Sequence, residues 1–388
     1  MTMNILFCTH DIDSGGAARS MFILISTLIT MGHHIKVISL HEPDLQKSCI
    51  HELINKGIPV FLFKWPWITN EFNKLHIDVG YQKNYRKISA RYVPQIKVMA
   101  DEADLVCFNG YPSTSLASLF EKRPRVLIAR EQLDEKSPRF PHVARYLRHF
   151  LEYAIAIGPV ESAQLSRMGI ANEIVFNAAP SLPELSPLPP LNTIRFGMFG
   201  QLHELKGQHL TISACKIAEN VLRMHGASFH IFGGAPQGRK AGVFEQALCA
   251  AITQYGIEDI VKMEGWTDNP SSYMKEMHCI VRVSIDGSPW GRDVIEAMSL
   301  GRPLLASGDV DIFVKPGVTG WLIPPNDAVA LAKALEVLVR HPTSLPAYAH
   351  RAYDFAVENF DPNRNGAKIA NIFSRLITLK TQDKVKNI

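Results

Sequence analysis

The sequence lacks the features that mark several common classes of protein. It contains no apolar run long enough to cross a bilayer, and its N-terminus has no charged start followed by a long apolar stretch, so neither a transmembrane segment nor a secretion signal is predicted. The six cysteines are scattered singly without a C-x-x-C pair, which argues against a disulfide framework and a zinc site. A net charge of +4 is too small to indicate nucleic-acid binding. We therefore expect a protein with reduced thiols in the cytosol.

The sequence also lacks the G-x-G-x-x-G fingerprint of dinucleotide-binding folds, so a nicotinamide cofactor is a poor fit. It does contain the surrounding pattern. An apolar strand over 3–9 and a second over 35–40 flank a helix over 18–31, which predicts a parallel βαβ unit. Gly15 and Gly16 precede that helix, where a backbone without side chains lets a ligand approach the carboxyl edge of the sheet. A simple tight turn would use the same two glycines.

Alternating strand and helix patterns continue over the 388 residues, a length that predicts two domains. Apolar residues make up 46% and charged residues 20% of the chain, as in ordinary globular proteins. The proline-rich segment 181–192 separates two regions of this pattern and is predicted to be a stiff linker. The predicted organisation is a domain over 1–180, the linker, a domain over 193–360, a helix over 361–379 and a flexible tail over 380–388.

One stretch, residues 288–307, has the pattern of a loop, a short helix, a tight turn and a buried strand. The unpaired N–H groups and positive dipole end of this helix would face the loop at Gly291, which is a ready site for a phosphate. Glu296 lies one turn further into the helix and could accept hydrogen bonds from a sugar diol. A buried loop, helix and strand in which Glu296 caps a backbone group fits the same residues equally well.

This stretch resembles the E-x-F-G-x-x-x-x-E-A-M-x-x-G-x-P signature of the retaining glycosyltransferases of family 4, which have the GT-B fold. Trp290 stands in place of the phenylalanine and Ser288 in place of the first glutamate. The matching residues are Gly291, Glu296, Ala297, Met298, Gly301 and Pro303. The resemblance implies that Glu296 binds the ribose of the donor nucleotide and that Ser288 contacts the donor sugar. It also implies a donor-binding role for the rest of this loop, which comprises Trp290, Gly291 and Arg292.

A second stretch, residues 200–207, resembles the family's G-R-L-x-x-x-K-G turn, whose arginine and lysine grip the donor diphosphate. The lysine and the final glycine match, and Gln201 stands in place of the arginine. The resemblance implies that Lys206 neutralises the leaving phosphate as the glycosidic bond breaks. Gln201 brings a hydrogen-bond donor without a charge, and Arg292 or Arg19 could supply that charge instead. Without the resemblance, Lys206 would be an ordinary solvated lysine before a helix.

Three further motifs extend the resemblance along the chain. Gly265 and Trp266 resemble the turn that flanks the donor nucleobase, and Gly15 and Gly16 resemble the G-G-A sequence near the donor phosphate and the acceptor. Residues 316–327 resemble the pattern G-x-T-G-x-L-x-x-P-x-D. Its glycines serve turns, and its final aspartate is predicted to cap the next helix.

The acceptor side offers fewer matches. Family members often place a histidine at the end of the strand that spans 125–129, but here Arg130 follows the strand, and Glu131 comes next. The role of that histidine is therefore not carried over. His10, at the end of the first strand, and Glu131 are the two acid or base candidates on this side, with Arg130 beside them.

Two other kinds of charged segment leave alternatives open. D-x-D triplets occur at 11–13 and 309–311, and such pairs hold the metal of GT-A glycosyltransferases, but they also cap helices or face water. In a GT-B enzyme, basic side chains and a helix N-terminus would do the metal's electrostatic work, so no metal and no cofactor are predicted. The basic segment 81–99 could dock on anionic lipid or form a solvated surface helix. A second basic segment, 139–148, could bind an acidic acceptor.

The resemblance implies a GT-B protein: two Rossmann-like doubly wound parallel-sheet domains facing across a donor cleft, with the last helix crossing back to the first domain. It implies retaining, metal-independent transfer of a hexose from a nucleotide diphosphate sugar to a glycan or lipid-linked glycan in bacterial surface polysaccharide synthesis. We expect a cytoplasmic enzyme in peripheral contact with the inner face of an anionic membrane, without a nucleic-acid partner. Because Ser288 and Gln201 replace charged family residues, a non-catalytic sugar-nucleotide or glycan-binding protein of the same fold is the alternative. A hydrolysing or epimerising GT-B enzyme is a third hypothesis.

Overall fold

The computed structural model divides the chain into two compact units, each built on its own sheet. Unit 1 comprises Met1–Ala178 and Pro362–Ile388, and unit 2 comprises Ala179–Asp361. The residues that the structure describes are 2–10, 12–13, 15–41, 50–63, 79–234, 242–285, 287–288 and 291–386.

Unit 1 contains a seven-stranded sheet in which every pairing is parallel, in the order β3-β2-β1-β4-β5-β6-β7. Its strands are β1 Asn4–Thr9, β2 His34–Ser39, β3 Val60–Leu62, β4 Leu105–Asn109, β5 Arg125–Ala129, β6 Tyr153–Ala156 and β7 Asn172–Ile174. Its first five helices are α1 Gly16–Thr30, α2 Ile50–Asn55, α3 Val79–Glu102, α4 Phe140–Phe150 and α5 Pro159–Arg167, and a 3₁₀ segment spans Tyr111–Phe120.

The sheet of unit 1 is covered on both faces, as continuous apolar strands predict for a parallel sheet. Ile5 and Phe7 of β1 belong to one buried cluster, while the intervening Leu6 belongs to a second cluster on the opposite face. Strands β4 and β5 are buried at every position. The loops at the carboxyl edge of the sheet therefore follow strands that are fully packed in the core.

Unit 2 contains a six-stranded sheet, again parallel throughout, in the order β10-β9-β8-β11-β12-β13. Its strands are β8 Arg195–Phe199, β9 Ser228–Phe232, β10 Val261–Gly265, β11 Cys279–Arg282, β12 Leu304–Ser307 and β13 Gly320–Ile323. Its helices are α6 Gln208–Ile217, α7 Glu219–Met224, α8 Val243–Tyr255, α9 Pro270–Met274, α10 Arg292–Ser299, α11 Ala328–Arg340 and α12 Leu345–Asn359, with 3₁₀ turns at Glu204–Lys206 and Pro342–Ser344.

The two strand orders confirm the predicted fold class of two doubly wound parallel sheets. In each sheet the first strand lies between the second and the fourth, so the strand order reverses between β1 and β4 in unit 1 and between β8 and β11 in unit 2. Doubly wound sheets bind their ligands at this switch point, outside the carboxyl ends of the strands. In unit 2 this rule places a ligand at the loops that follow β8 and β11.

The last helix, α13 Pro362–Lys386, belongs to unit 1 and packs against α1. A Cβ atom at Gly366 would lie 2.5 Å from Cγ2 of Thr27, so the two helices need a glycine at this contact. Lys380 of α13 donates to Glu152, which precedes β6, at 2.8 Å.

Segment 181–192, predicted to be a linker, belongs instead to unit 2. Arg302 is completely buried and donates through Nη2 to the carbonyl oxygens of Ser186 and Pro187, at 2.5 and 3.0 Å. A Cβ atom at Gly301 would overlap the side chain of Leu185. These contacts attach the proline-rich segment to the body of unit 2.

The segment from 316 to 327, predicted to serve turns, also contains a strand. This strand, β13, pairs with β12, and a Cβ atom at Gly320 would overlap the carbonyl oxygen of Leu304. Asp327 caps α11 as predicted, because its Oδ1 accepts the N–H of Ala330 at 2.8 Å. Across the residues described above, no helix combines the length and the apolar character needed to cross a bilayer.

Candidate functional site

The loops after β8 and β11 lie in direct contact at the switch point of unit 2. The N–H of Ile285 donates to the carbonyl of Leu205 at 3.0 Å. Gly207, which closes the first loop, has a φ of 79° and lies against the Val283 carbonyl, which a Cβ atom would overlap. Glycine is required here by both the left-handed backbone and the close contact. Lys206 is thereby held beside the loop that follows β11.

The loops after β8, β9 and β10 also contact one another, through backbone groups and glycines. The N–H of Gly233 donates to the carbonyl of Gly265 at 2.8 Å, and a Cβ atom at Gly233 would overlap the Gly200 carbonyl. Trp266 packs its Cβ against Gly234, while 67% of its surface stays exposed. The carboxyl edge of this sheet therefore presents a large aromatic side chain to solvent.

A buried ion pair connects the end of β11 to the start of α10. Arg282 donates through Nη1 to both carboxylate oxygens of Asp293, at 2.8 and 3.0 Å, and through Nε to the carbonyl of Ser288 at 3.1 Å. The two side chains are only 11% and 12% exposed. Gly291, the residue before α10, packs on this pair: a Cβ there would lie 2.5 Å from Asp293 Oδ1 and 2.7 Å from Arg282 Nη1.

The glutamate that the sequence singled out, Glu296, lies inside α10 and is 4% exposed. Arg292 donates to its Oε1 through Nε and Nη2, at 3.2 and 2.9 Å. Both bonds end on the same oxygen, and no residue in the described ranges donates to Oε2. The carboxylate is thus oriented by an arginine one turn earlier.

The remaining donor-side predictions fall on the same edge of unit 2. Lys206 is half-buried at the end of its 3₁₀ turn, and Gln201 is exposed, with its carbonyl accepting from Gln208 Nε2 at 3.0 Å. Ser288 is half-buried in the loop after β11. Trp290 lies outside the described residues.

The polar groups of unit 1 gather at the carboxyl ends of β1, β4 and β5. Arg130 donates through Nε to Oδ1 of Asn109 at 2.8 Å and through Nη1 to Oδ1 of Asn177. Asn109 in turn donates to the hydroxyl of Thr9, 3.4 Å away. His10 follows β1 directly and is half-buried. The predicted acceptor-side arginine is therefore held in a network that joins three loops.

The predicted glycine pair of unit 1 is placed differently from the glycines of unit 2. Gly15 has a φ of −66° and precedes α1, and a Cβ added there would meet no atom within 4 Å. Gly16 is the first residue of the helix. No protein group in the described ranges requires glycine at position 15, and Gly15 is exposed.

Glu131 has a structural contact that the sequence did not indicate. Its Oε1 accepts the N–H of Tyr111 at 2.9 Å, and Gly110 packs against the carboxylate. Burial raises the pKa of Glu131, with the Tyr111 N–H and Arg130 acting in the opposite direction and Glu161 adding to the rise. Burial likewise raises the pKa of Glu161. Glu131 therefore stabilises the loop after β4, whatever further role it has.

The two D-x-D triplets do not form a carboxylate cluster where the structure can be described. Asp309 and Asp311 are both exposed, Asp13 is half-buried, and Asp11 lies outside the described residues. Among the described residues no group of three or more histidine, cysteine, aspartate or glutamate side chains could hold a metal ion.

Two residues of this site were missed from the sequence, namely Arg282 and Asp293. An arginine at the end of an otherwise apolar strand, C-I-V-R, and an acidic residue in the first turn of the next helix were the available signals. Neither signal identifies the partner, because the pairing depends on how the helix packs on the strand.

A family model matches part of unit 2, curated relatives match part of the chain in sequence, and solved structures match nearly all of it in fold. Residues 193–341 match the family model of Glycosyl transferases group 1. That range contains Lys206, Trp266 and Glu296, and it includes both loops at the switch point of unit 2.

Curated relatives are similar over part of their length. The chain is 29% identical to the protein designated colanic acid biosynthesis glycosyltransferase WcaL of Salmonella typhimurium, over 56% of this chain and 52% of that protein. It is 33% identical to the amylovoran biosynthesis glycosyltransferase AmsK of Erwinia amylovora, over 50% of this chain and 45% of that protein. The chain thus spans about half the length of the curated relatives it matches.

A solved structure of low sequence identity has the same fold over the full length. The Anabaena protein Alr3699/HepE, crystallised with UDP-glucose, superposes with a TM-score of 0.77 at 21% identity, covering 96% of this chain and all of that one. Together with the two doubly wound sheets, this likeness shows that the chain has the GT-B fold.

Proposed function

We propose that this chain is a retaining, metal-independent glycosyltransferase that moves a hexose from a nucleoside diphosphate sugar to a glycan or lipid-linked glycan in surface polysaccharide synthesis. The observation that carries the proposal is Glu296, a buried carboxylate that Arg292 orients one turn inside α10, the helix whose preceding loop contacts the loop that bears Lys206. The names of WcaL and AmsK as glycosyltransferases of colanic acid and amylovoran synthesis support the reaction class. The complex of HepE with UDP-glucose supports the donor class.

The donor diphosphate would lie between the N-terminus of α10 and Lys206. The first N–H groups of a helix and its dipole favour an anion, and a lysine adds a full charge. The Oε2 atom of Glu296 would accept the ribose hydroxyls, Ser288 and Gly291 would line the sugar, and Trp266 would stack on the base.

Arg292 is the cation best placed to supplement Lys206. Gln201 brings no charge to the position where the family has arginine, while Arg292 is the first residue of α10. Its guanidinium pairs with Glu296, and ribose hydroxyls that donate to the same carboxylate would weaken this pairing and strengthen the attraction of Arg292 to the diphosphate. Arg292 would thereby link recognition of the ribose to neutralisation of the leaving phosphate.

No protein nucleophile is required in this proposal. The two carboxylates of α10, on Asp293 and Glu296, both accept from arginines, so neither is presented to the sugar as a nucleophile. Front-face attack, in which the leaving phosphate helps to deprotonate the acceptor, fits these residues. His10, Arg130 and Glu131 would serve the acceptor, and Gly15 and Gly16 would let a substrate approach the backbone closely.

The basic face of α4 supports peripheral contact with an anionic membrane or an acidic acceptor. Arg145 and Arg148 are exposed on this helix, whereas Leu147 is buried. No acidic residue occurs between Lys136 and Leu151. Such a surface is attracted to anionic headgroups.

The alternative is a non-catalytic binding protein of the same fold, motivated by the neutral Ser288 and Gln201. A panel of UDP-, GDP-, ADP- and dTDP-sugars, with and without lipid-linked glycan acceptors, separates the two. The transferase account predicts acceptor-dependent release of one nucleoside diphosphate, and loss of this release in Glu296→Gln. Glu336→Gln is the matched control, because Glu336 also faces an arginine four residues away but lies on α11. Binding of a sugar nucleotide without turnover on any acceptor would favour the alternative.

A further inference from the structure

We propose that Arg282 and Asp293 are positioning residues of the donor site, and this inference rests on the function proposed above. They fix the backbone at Ser288 and the first turn of α10, so that Arg292 and Glu296 are presented to the donor in one geometry. Neither residue is a specified position of the glycosyltransferase signature.

The hydrogen bonds of Arg282 cross three elements. Its Nη1 binds both oxygens of Asp293 in α10, its Nε binds the carbonyl of Ser288 in the loop, and its own backbone ends β11. A guanidinium can make these bonds at once because its donors lie in one rigid plane. A lysine at the same position would have to make all of its bonds from one terminal nitrogen and could not reproduce this geometry.

Burial makes a purely stabilising role a poor explanation of the pair. The side chains of Arg282 and Asp293 are 11% and 12% exposed, and two charges removed from water regain little net stability from each other. The pair instead favours one conformation of the loop and helix, because a conformation that separated the two side chains would leave a buried charge unpaired, at a large cost in free energy.

Gly291 adds an independent observation. Its φ of 175° and ψ of −179° are extended values that any residue adopts, so the backbone conformation does not demand glycine. The demand comes from the ion pair, because a Cβ atom would lie within 2.8 Å of the guanidinium carbon of Arg282. Gly291, the residue before α10, thus packs directly against the guanidinium of Arg282.

The pair also orients the neighbouring Arg292. Consecutive residues of a helix point about 100° apart, so a helix that turns Asp293 toward Arg282 turns Arg292 to a different face. On that face Arg292 meets Glu296 one turn later. Loss of the Arg282 contact would therefore let the first turn of α10 move, and the Arg292–Glu296 pair with it.

The test uses Arg282→Lys and Asp293→Asn in the full-length chain, with affinities for UDP, GDP, ADP and dTDP measured by calorimetry. We expect the nucleotide that wild type binds to bind about tenfold to a hundredfold more weakly in both variants. Arg282→Lys keeps the charge and should melt at nearly the wild-type temperature, whereas Asp293→Asn leaves Arg282 without its counter-ion and should melt lower. In turnover assays the KM for the donor should rise while the KM for the acceptor stays constant. If the pair acts as a unit, the double variant is no weaker than the worse single variant.

Arg302→Lys is the matched control. Arg302 is a buried arginine of the same unit that donates to the carbonyls of Leu300, Met277, Ser186 and Pro187 and is placed outside the proposed site. The Arg302→Lys substitution should lower the melting temperature and leave the nucleotide affinity unchanged. An Arg282→Lys variant that binds nucleotide like wild type, or that loses affinity only in step with its melting temperature as Arg302→Lys does, would overturn the proposal.

Hydrogen exchange of the unliganded chain tests the positioning role without any nucleotide. Arg282→Lys should accelerate exchange of the amides of residues 291–296 while those of β12 keep their wild-type protection. Unchanged exchange at 291–296 would refute the positioning role even if donor binding were lost. Wild-type protein that binds none of the four nucleotides would instead count against the proposed function, and the exchange result would still decide the role of Arg282.

Discussion

Gly207 lies against the backbone of Val283 so closely that a Cβ atom on it would overlap the Val283 carbonyl oxygen. This contact joins the loop that carries Lys206 to the loop that leads to α10. The proposed donor site depends on that junction, because Lys206 and the α10 N-terminus can act on one diphosphate only if their loops stay together.

Substitution of Gly207 by alanine should therefore separate the two loops. The left-handed backbone alone would cost about 1–2 kcal/mol of the free energy of unfolding, and the overlap with Val283 adds to it. Nucleotide affinity should fall more than stability does. Gly256→Ala is the control, since Gly256 has a φ of 63° with no atom within 4 Å of an added Cβ. Equal effects of both variants on nucleotide binding would refute the role of the junction.

Trp266→Ala should affect binding without affecting stability. The side chain is 67% exposed, so its removal should change the free energy of unfolding by less than about 0.5 kcal/mol. Loss of stacking on a nucleobase should weaken nucleotide binding about fivefold or more, equivalent to at least about 1 kcal/mol. Met224→Ala, which removes a 78% exposed apolar side chain from α7, should change neither quantity. Nucleotide titrations that give the same affinity for Trp266→Ala and wild type would place the base elsewhere.

Glu161→Gln should make unit 1 more stable at alkaline than at acid pH, relative to wild type. Burial raises the pKa of Glu161, so its contribution to stability is complete below the ordinary carboxyl pKa and is lost as the pH rises through the raised value. Glutamine carries no charge, so the variant does not suffer this loss. Between pH 4 and 8, the melting temperature of the variant should exceed that of wild type by a growing margin as the pH rises. A difference that stays constant with pH would contradict the assignment.

Glu152→Gln should have the opposite pH dependence. Burial tends to raise the pKa of Glu152, but hydrogen bonds from Arg125 and Lys380 outweigh it, so the pKa lies below its ordinary value. The stabilisation is complete above the ordinary carboxyl pKa and is lost as the pH falls through the lowered value. We expect the variant to lose about 2 kcal/mol at neutral pH, and progressively less in acid. Urea unfolding of the variant and of wild type, at neutral and at acid pH, measures this difference in the free energy of unfolding.

Glu173→Gln provides the comparison for that result. Its carboxylate pairs with Arg375 of α13, but the two side chains are 47% and 51% exposed. Exposed ion pairs contribute about 0–1 kcal/mol, so this variant should lose much less than Glu152→Gln. A larger loss of stability in Glu173→Gln than in Glu152→Gln would contradict this ranking of the exposed and the buried pair.

The strands and the switch-point loops could be predicted from the sequence because continuous apolar runs and glycine turns are local signals. The match of 288–307 to a family signature likewise singles out Glu296, since the signature is contiguous in the chain. The Arg292–Glu296 pair could have been predicted from its spacing of four residues, yet Arg292 was given only a donor-binding role. Oppositely charged residues four positions apart on a helix commonly pair, and this rule predicts the Arg292–Glu296 contact.

Other features depend on packing between distant segments and had no local signal. Arg302 attaches the proline-rich segment to unit 2 across more than a hundred residues, so composition alone suggested a linker. The Tyr111 contact of Glu131 joins two strand ends in the same way. Arg282 and Asp293 pair only because α10 packs beside β11.

The most direct test of the central claim compares a nucleoside diphosphate with its 2′,3′-dideoxy analogue, using the base that wild type binds. If Glu296 grips the ribose, calorimetry should show that wild type prefers the ribonucleotide by about tenfold or more, as a hydrogen bond to a buried carboxylate would give. Glu296→Ala should bind both nucleotides with nearly equal affinity. A Glu296→Ala variant that still discriminates like wild type would contradict the account.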